Sequence, residues 1–586
     1  MEHARHRRIL ALGLGVGLAA LKAPAQTPDA EGGFVFDGGV STSTGTLVEP
    51  ASESSVISEV PRSSFVSSDE PLASSVTATV VPPAPPPPRL CCVGADSSPR
   101  VPRSEQWDVW GEGRLRLNQS TAFGVDTQGT SANQRTWLQS RIVAGGRWAP
   151  SQKLRFDLEL DGLSGYLAGD PMALGTVSTS RPFQLSPSGA DRTRIIPRKA
   201  NVLWTTRVGQ VALGAQTFSW GTGMLANDGA GAAQTDGLQF GDAWMGNVVA
   251  RMAFLTKPFR EWNALKDFAL FIAGDLVLRD DNASVFDGDL AGAALLGARL
   301  DTERTSLGVL VVGRSQVDRV DPFRPGAARS QTTVAITNLY GRQRLRLDSW
   351  QQVTAEAELT LIAGRSTRPL TDETLSSGAE VLQWGGLLRA RWDSDRLRVS
   401  AQLEGGYASG DNDPRDRIAR TFSMNSDHNV GLVLFDHVLP MVTARAVDQL
   451  ANPSLSGTPP PSTRFLVNNG AVQNAIYVHP VIKWRPHDPL ELKVGYVYAV
   501  AAADFADAWQ STLNGGFSAT PGGRVLGGRG YGHELDARVA WTQPLWADVR
   551  LLVGAEGGLF IPGSVFEGIQ GLGTPWLLRG LASVRW

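Results

Sequence analysis

Lysine is almost missing from this chain. Only Lys22, Lys153, Lys199, Lys257, Lys266, Lys483 and Lys493 occur, leaving 48 arginines among 55 basic residues. Any positive wall is therefore a guanidinium wall, suited to two-pronged contact with carboxylate, sulfate or phosphate. Cysteine is scarcer still: Cys91 and Cys92 are adjacent and alone. They exclude a disulfide framework and a cysteine zinc site, and they lie too far from the amino terminus for a lipidated leader. A vicinal disulfide, an intermolecular bridge and two inert thiols all stay open. Net charge is only −2, so no global basic field points to nucleic acid. No stretch of eighteen apolar residues follows Gln106, which excludes transmembrane helices.

What is present fits one architecture. Glycine reaches 64 residues and tryptophan 17, charged residues make up 19%, and mean hydropathy is −0.11. A wide transmembrane barrel gives all four together, because its strands alternate lipid-facing apolar with lumen-facing polar residues. Ahead of that body stands a leader. Arg5, Arg7 and Arg8 precede an apolar run from Ile9 to Leu21, and Ala23-Pro24-Ala25 offers a small-residue cleavage site. Residues 1–25 therefore read as a signal peptide, too short to span as a helix. Residues 26–104 are rich in Pro, Ser and Thr and end in Pro82-Pro83-Ala84-Pro85-Pro86-Pro87-Pro88. Such a segment cannot bury a core and is expected to be a disordered periplasmic tether, either a plain spacer or a grip on the cell wall or a periplasmic protein.

From 105 to 586 two-residue alternation recurs. Leu154, Phe156, Leu158 and Leu160 share one face against Arg155, Asp157, Glu159 and Asp161. Leu397, Val399, Ala401, Leu403 and Tyr407 oppose Arg398, Ser400, Gln402 and Glu404. The same holds for Leu490 to Tyr498, Leu535 to Trp541 and Val549 to Leu559. Sixteen to nineteen such segments of about ten residues match the length of a tilted membrane-crossing strand. Trp107, Trp110, Trp137, Trp148, Trp392, Trp484, Trp541, Trp546 and Trp576 fall near segment ends, as interfacial girdles require.

In the last segment Trp576, Leu578, Ala582, Val584 and Trp586 lie on one face, Arg579, Ser583 and Arg585 on the other. A lipid-facing aromatic at Trp586 resembles the carboxy-terminal signal by which assembly machinery recognises outer-membrane barrels. Short connections at 148–153, 391–396 and 484–488 read as periplasmic turns. Stretches 162–194, 221–242, 410–430 and 501–530 read as extracellular loops or inward folds. The expected fold is an all-β, transmembrane, antiparallel up-and-down barrel of about 16–18 strands with both termini in the periplasm. Its partners are outer-membrane lipid and lipopolysaccharide.

Few motifs suggest chemistry. Asp411, Asp413 and Asp416 resemble part of a calcium loop but lack its bidentate glutamate. The glycines of Trp220 to Gly229 have no following lysine, which sets aside phosphate cradling and leaves a tightly folded loop that can enter the barrel. Asp427-His428-Asn429 and Asp436-His437 raise a hydrolase or a metal site, yet no nucleophile elbow accompanies them. No catalytic residue and no cofactor is expected.

Leu403 to His437, reading LEGGYASGDNDPRDRIARTFSMNSDHNVGLVLFDH, resembles the late-barrel region of alginate-export-type porins of Gram-negative bacteria. WGTGMLANDG, Gln239 to Asp242 and Val472 to Tyr477 look more like an uncharacterised offshoot of predicted outer-membrane barrels. The resemblance implies an arginine-rich lumen that conducts a polyanionic polysaccharide, with Arg114, Arg116, Arg155, Arg389, Arg391, Arg398, Arg538 and Arg579 as wall residues. Glu112, Asp157, Glu159, Glu404, Glu534 and Asp536 share those faces, so a general pore with a transverse field, or a salt-bridged wall, fits equally. The expected function is a passive channel for small hydrophilic solutes or for export of an anionic polysaccharide. The alternatives are a non-conducting anchor with a tether, and an outer-membrane hydrolase.

Overall fold

The computed structural model describes residues 106–170, 174, 195–229, 238–243, 246–321, 326, 328–368, 378–413, 416–459, 463–525, 527–546 and 548–586. The expected signal peptide, the tether with Cys91 and Cys92, and most of the stretch 171–194 lie outside the described residues.

Eighteen long strands make the body. They are β1 (Gln106–Ser120), β2 (Thr136–Ser151), β3 (Leu154–Gly169), β4 (Ile196–Thr205), β5 (Gln210–Phe218) and β6 (Asn247–Thr256). Then come β7 (Phe268–Arg279), β8 (Leu290–Asp301), β9 (Thr305–Val317), β10 (Gln331–Arg346), β11 (Gln351–Ser366) and β12 (Ala379–Ser394). The last six are β13 (Val399–Ala408), β14 (Ala475–His487), β15 (Leu490–Ala501), β16 (Gly530–Trp546), β17 (Val549–Pro562) and β18 (Trp576–Arg585). Each pairs antiparallel with its neighbours in the chain, and β18 returns to β1 with Glu112 opposite Arg585 and Leu117 opposite Gly580. The ring is closed, so no long strand keeps an open edge. Short turns join strands at one end; longer segments join them at the other. Hereafter these are the turn end and the loop end.

Alternation decides the faces. Leu115, Leu158, Met252, Ile272, Leu296 and Leu388 stand exposed on the outside, while Arg114, Asn118, Asp157, Glu159, Glu404 and Arg579 are buried within. Tryptophans gather at the turn end of the outer face, where Trp107 and Trp148 stack at 5.4 Å, with Trp204, Trp484, Trp541 and Trp546 also exposed. At the loop end Trp384 stacks on Tyr407 at 4.1 Å and the Tyr496 hydroxyl meets His533 Nδ1 at 2.6 Å. Two girdles result. Trp586 is held against β1, its N–H donating to Gly111 O and its O accepting from Gly111 N, and its ring lies over the space a Gly111 side chain would take.

Several expectations are corrected. Trp110 and Trp137 face inward rather than into a girdle: Trp110 donates its indole N–H to Glu159, and Trp137 stacks on His437 at 5.9 Å. β3 runs on to Gly169 instead of becoming loop at Gly162, because a register shift around Leu163 (φ 49°) breaks its alternation. Leu397 and Arg398 belong to a turn, since β13 begins only at Val399 and Arg398 adopts φ 53°.

One arc departs from the polar-inside rule along a single row. Leu203, Ala212, Ala253, Ala273, Leu295, Val312, Ile336 and Ile362 are successive register partners from β4 to β11. They form a continuous apolar row on the inner wall, packed with Leu255, Phe271 and Leu310. Along this row the inner face is as apolar as the outer one, although polar pairs such as Arg251–Asp275 at 2.6 Å stand beside it.

Candidate functional site: a constricted lumen

Two of the loop-end connections enter the barrel. The first lies between β5 and β6, with residues 219–229, 238–243 and 246 described, and begins at Trp220, whose indole N–H donates to Asn338 Oδ1 of β10 at 2.7 Å. Thr222 donates its N–H and hydroxyl to Glu358 Oε2 of β11, both at 2.6 Å. Arg141 of β2 donates to Gly229 O and Arg198 of β4 to Asp228 O. Lys493 of β15 donates to Gln239 O, and Asp242 pairs with Arg116 of β1 at 2.7 Å and Arg114 at 3.6 Å. A segment that touches β1, β2, β4, β10, β11 and β15 of a closed ring does so only from inside. Burial works against the charge on Asp242, yet the Arg114, Arg116 and Arg538 guanidiniums hold its carboxyl well below the usual carboxylate range.

The second is the long insertion 409–474 between β13 and β14. It carries helix α1 (Leu439–Ala451), entered through a single π-turn over Leu434–Val438. Ten of the thirteen α1 residues are buried, so the helix packs on most of its surface and leaves only Thr443, Arg445 and Asp448 half-buried. Glu534 of β16 accepts the successive N–H groups of Leu432, Val433 and Leu434 at 2.5, 2.7 and 2.7 Å. Gly431 (φ 76°) supports that approach, because a Cβ there would strike the Glu534 carboxylate. Asp436 pairs with Arg579 of β18 at 3.0 Å, and Arg445 with Asp126 of the β1–β2 connection at 2.7 Å. Phe422, Met424, Leu432, Val433, Phe435 and Leu439 build one apolar core with wall residues Leu387, Tyr477, Val497 and Phe560.

The two segments lock onto each other. Gly246 N donates to Asp427 Oδ2 at 2.7 Å, Asn425 N to Met224 O at 2.7 Å, and Asn425 Nδ2 to Asn247 Oδ1 at 3.1 Å. Next to this joint His428 Nε2 lies 3.1 Å from Glu404 Oε1 and 3.2 Å from the Tyr477 hydroxyl, which itself donates to Glu404 at 2.7 Å. His437 packs between Trp137 and Phe123. Its pKa is pushed down to about 4, first by burial and then by the nearby Arg579 charge, against Asp436. Both histidines thus sit in the packing of the insertion.

The sequence-derived wall residues fall on the inner face with one exception. Arg155 pairs with Asp157 at 2.9 Å, and Glu159 with Arg198 at 2.9 Å and Lys199 at 3.3 Å. Arg389 bridges Glu404 at 2.7 Å and Glu356 at 3.2 Å; Arg391 meets Asp393 at 2.7 Å. Arg538 and Arg579 each lie 3.6 Å from Glu556, and Asp536 is buried beside Glu534. Arg398 is the exception. It pairs with Asp488 across two turns at 2.9 Å, half exposed and away from the lumen. The aspartates read as a calcium loop instead hold Arg420, at 2.7 Å from Asp416 and 3.4 Å from Asp411. Among the described residues no group of three or more His, Cys, Asp or Glu is arranged to hold a metal ion.

Alternation alone did not reveal Asp242, Glu358, Asn338 or Asp427, whose roles arise when distant loops return to the wall. The available signals are the glycines after Trp220 and the singled-out stretches Gln239 to Asp242 and Asp427-His428-Asn429, none of which indicates a partner on the wall. No protein-family model matches the chain, and no curated protein does. Solved structures similar to it include Pseudomonas aeruginosa OccK2 (OpdF), at TM-score 0.44 and 10% identity over 82% of this chain and 97% of that one. Acinetobacter baumannii OccAB1 gives 0.46 and 8% over 82% and 96%, and Pseudomonas aeruginosa OpdQ 0.43 and 9% over 82% and 98%.

Proposed function

We propose that the chain is an outer-membrane channel for passive passage of small hydrophilic solutes, with its turn end and both barrel termini in the periplasm. One observation carries the reading: a closed ring, apolar outside, encloses a charged interior narrowed by two inward segments joined at Asp427. Pore width and lumen charge set passage in such a structure. The narrowing favours small solutes over export of an anionic polysaccharide, which needs a wide bore. The wall chemistry favours it too, because Arg114, Arg116, Arg155, Arg389, Arg391 and Arg579 each meet a carboxylate. That gives a balanced transverse field rather than a cationic tube.

Single-channel recording in planar bilayers tests this directly. Steady openings, with liposome swelling that falls off sharply as solute size rises, are expected. The apolar core of the insertion favours a second reading, a closed anchor; complete electrical silence of folded protein would establish it in place of the channel. Arg389→Gln with Arg391→Gln is expected to lower anion preference, and unchanged selectivity would remove those side chains from the permeation path.

A further inference from the structure

The turn end is electrically lopsided. Six lysines fall within the described residues, and Lys199, Lys483 and Lys493 of these are buried on the inner wall. The other three, Lys153, Lys257 and Lys266, stand on the first and third turn-end connections, 152–153 and 257–267, on either side of the second, 206–209, with its exposed Arg207. Arg260 adds a fifth base to this arc, against only Glu261 and Asp267. In the other turn-end connections Glu303, Asp348, Asp395, Asp488 and Asp548 stand with Arg304, Arg396 and Arg398, and the adjoining strand ends add Arg346 and the Arg485–Glu491 pair.

The basic arc also carries aromatics of its own, as part of the turn-end girdle. The connection 257–267 is the longest at the turn end, and Phe259 stacks on Trp262 at 5.0 Å and meets Phe268 at 5.6 Å. Trp262 is 61% exposed and Val208 68%. Arg260 donates to Arg207 O at 2.7 Å and Thr256 to Val208 O at 2.6 Å, which ties the two connections into one surface. That surface continues the outer apolar face through the register row Trp204, Val211, Phe254 and Ile272.

We propose that the connections 152–153, 206–209 and 257–267 form a binding surface for anionic phospholipid headgroups of the adjoining leaflet. Aromatic side chains next to a lipid-facing wall settle at headgroup depth. Ammonium and guanidinium groups beside them then meet phosphate, and they gain where the lipid carries net negative charge. The continuity with the lipid-facing row selects lipid over a periplasmic protein as the occupant.

The test uses the full chain with p-benzoylphenylalanine in place of Trp262, reconstituted in nanodiscs of phosphatidylethanolamine with or without phosphatidylglycerol. After irradiation, adducts are identified by mass spectrometry. Phosphatidylglycerol adducts are expected about threefold above their share of the bilayer. Replacing Lys153, Lys257 and Lys266 with Gln, together with Arg207→Gln and Arg260→Gln, should abolish that preference. The variant should keep the heat-modifiable mobility of a folded barrel, which separates lost recognition from lost folding. Adducts that simply follow bilayer composition overturn the proposal. So does a preference that survives charge removal, or cross-linking in cell envelopes that goes chiefly to protein.

Discussion

At the scale of single residues, two glycines on β1 make a controlled comparison. Beside Gly111 an added Cβ would run into the Trp586 ring, whereas beside Gly113 nothing lies within 4 Å. Gly111→Leu is therefore expected to cost about 1–3 kcal/mol through overpacking and to lower the yield of heat-modifiable barrel, while Gly113→Leu assembles normally; equal yields would show that the Trp586 ring can move aside. His437 offers a pH dependence. Its pKa in the folded chain is about 4 against an ordinary 6.5, so its contribution is fully present above 6.5 and is lost as pH falls through 4. The loss is on the order of 3 kcal/mol. Thermal unfolding in detergent between those values should show the slope, and His437→Phe should flatten it.

At the scale of elements, the insertion hangs on Glu534. Glu534→Ala leaves three buried N–H groups without an acceptor, each costing about 1–3 kcal/mol. Limited proteolysis should then cut within 409–474 while the strands stay intact; an uncut insertion would assign its hold to the apolar core alone. Asp507 caps the short helix α2 (Ala508–Leu513), accepting from Trp509 N and Gln510 N at 3.1 and 2.9 Å. Burial raises its pKa to about 6. Its stabilising share is complete below about 3.8 and disappears as pH rises through 6, so protection factors in α2, with the intrinsic base catalysis of exchange divided out, should fall from pH 4 to 7, and Asp507→Asn should remove that fall. Legibility also varied by element. β3, β13 and β15 to β18 could be read because one face carries charge. β4 to β9 are harder to read, because Leu203, Ala253, Leu295 and their partners put apolar residues among the inward positions too. Helix α1 does alternate Arg445 and Asp448 with an apolar face of Leu439, Val442, Ala446 and Leu450, but one helical stretch of thirteen residues stands alone in a chain whose other periodicity is that of strands.

At the scale of the whole molecule, alternation gave the ring and the direction of its arginines, but not what those arginines hold. Arg116 was legible as a wall residue; Asp242, its partner more than a hundred positions away, was not, because only folding of residues 219–246 back into the interior brings them together. If both inward segments are fixed by apolar packing, conductance should vary little with voltage, whereas stepwise closures would mark one of them as movable. The apolar inner row from Leu203 to Ile362 has a last consequence, for biogenesis. Before the ring closes, β4 to β11 expose this apolar row next to inward polar groups such as Arg251 and Asp275, so unfolded chains in an aqueous compartment will stick together along the row first. Refolding losses should map to this third of the polypeptide, and Phe271→Ser with Leu310→Ser should raise recovery from denaturant even as it weakens the finished barrel.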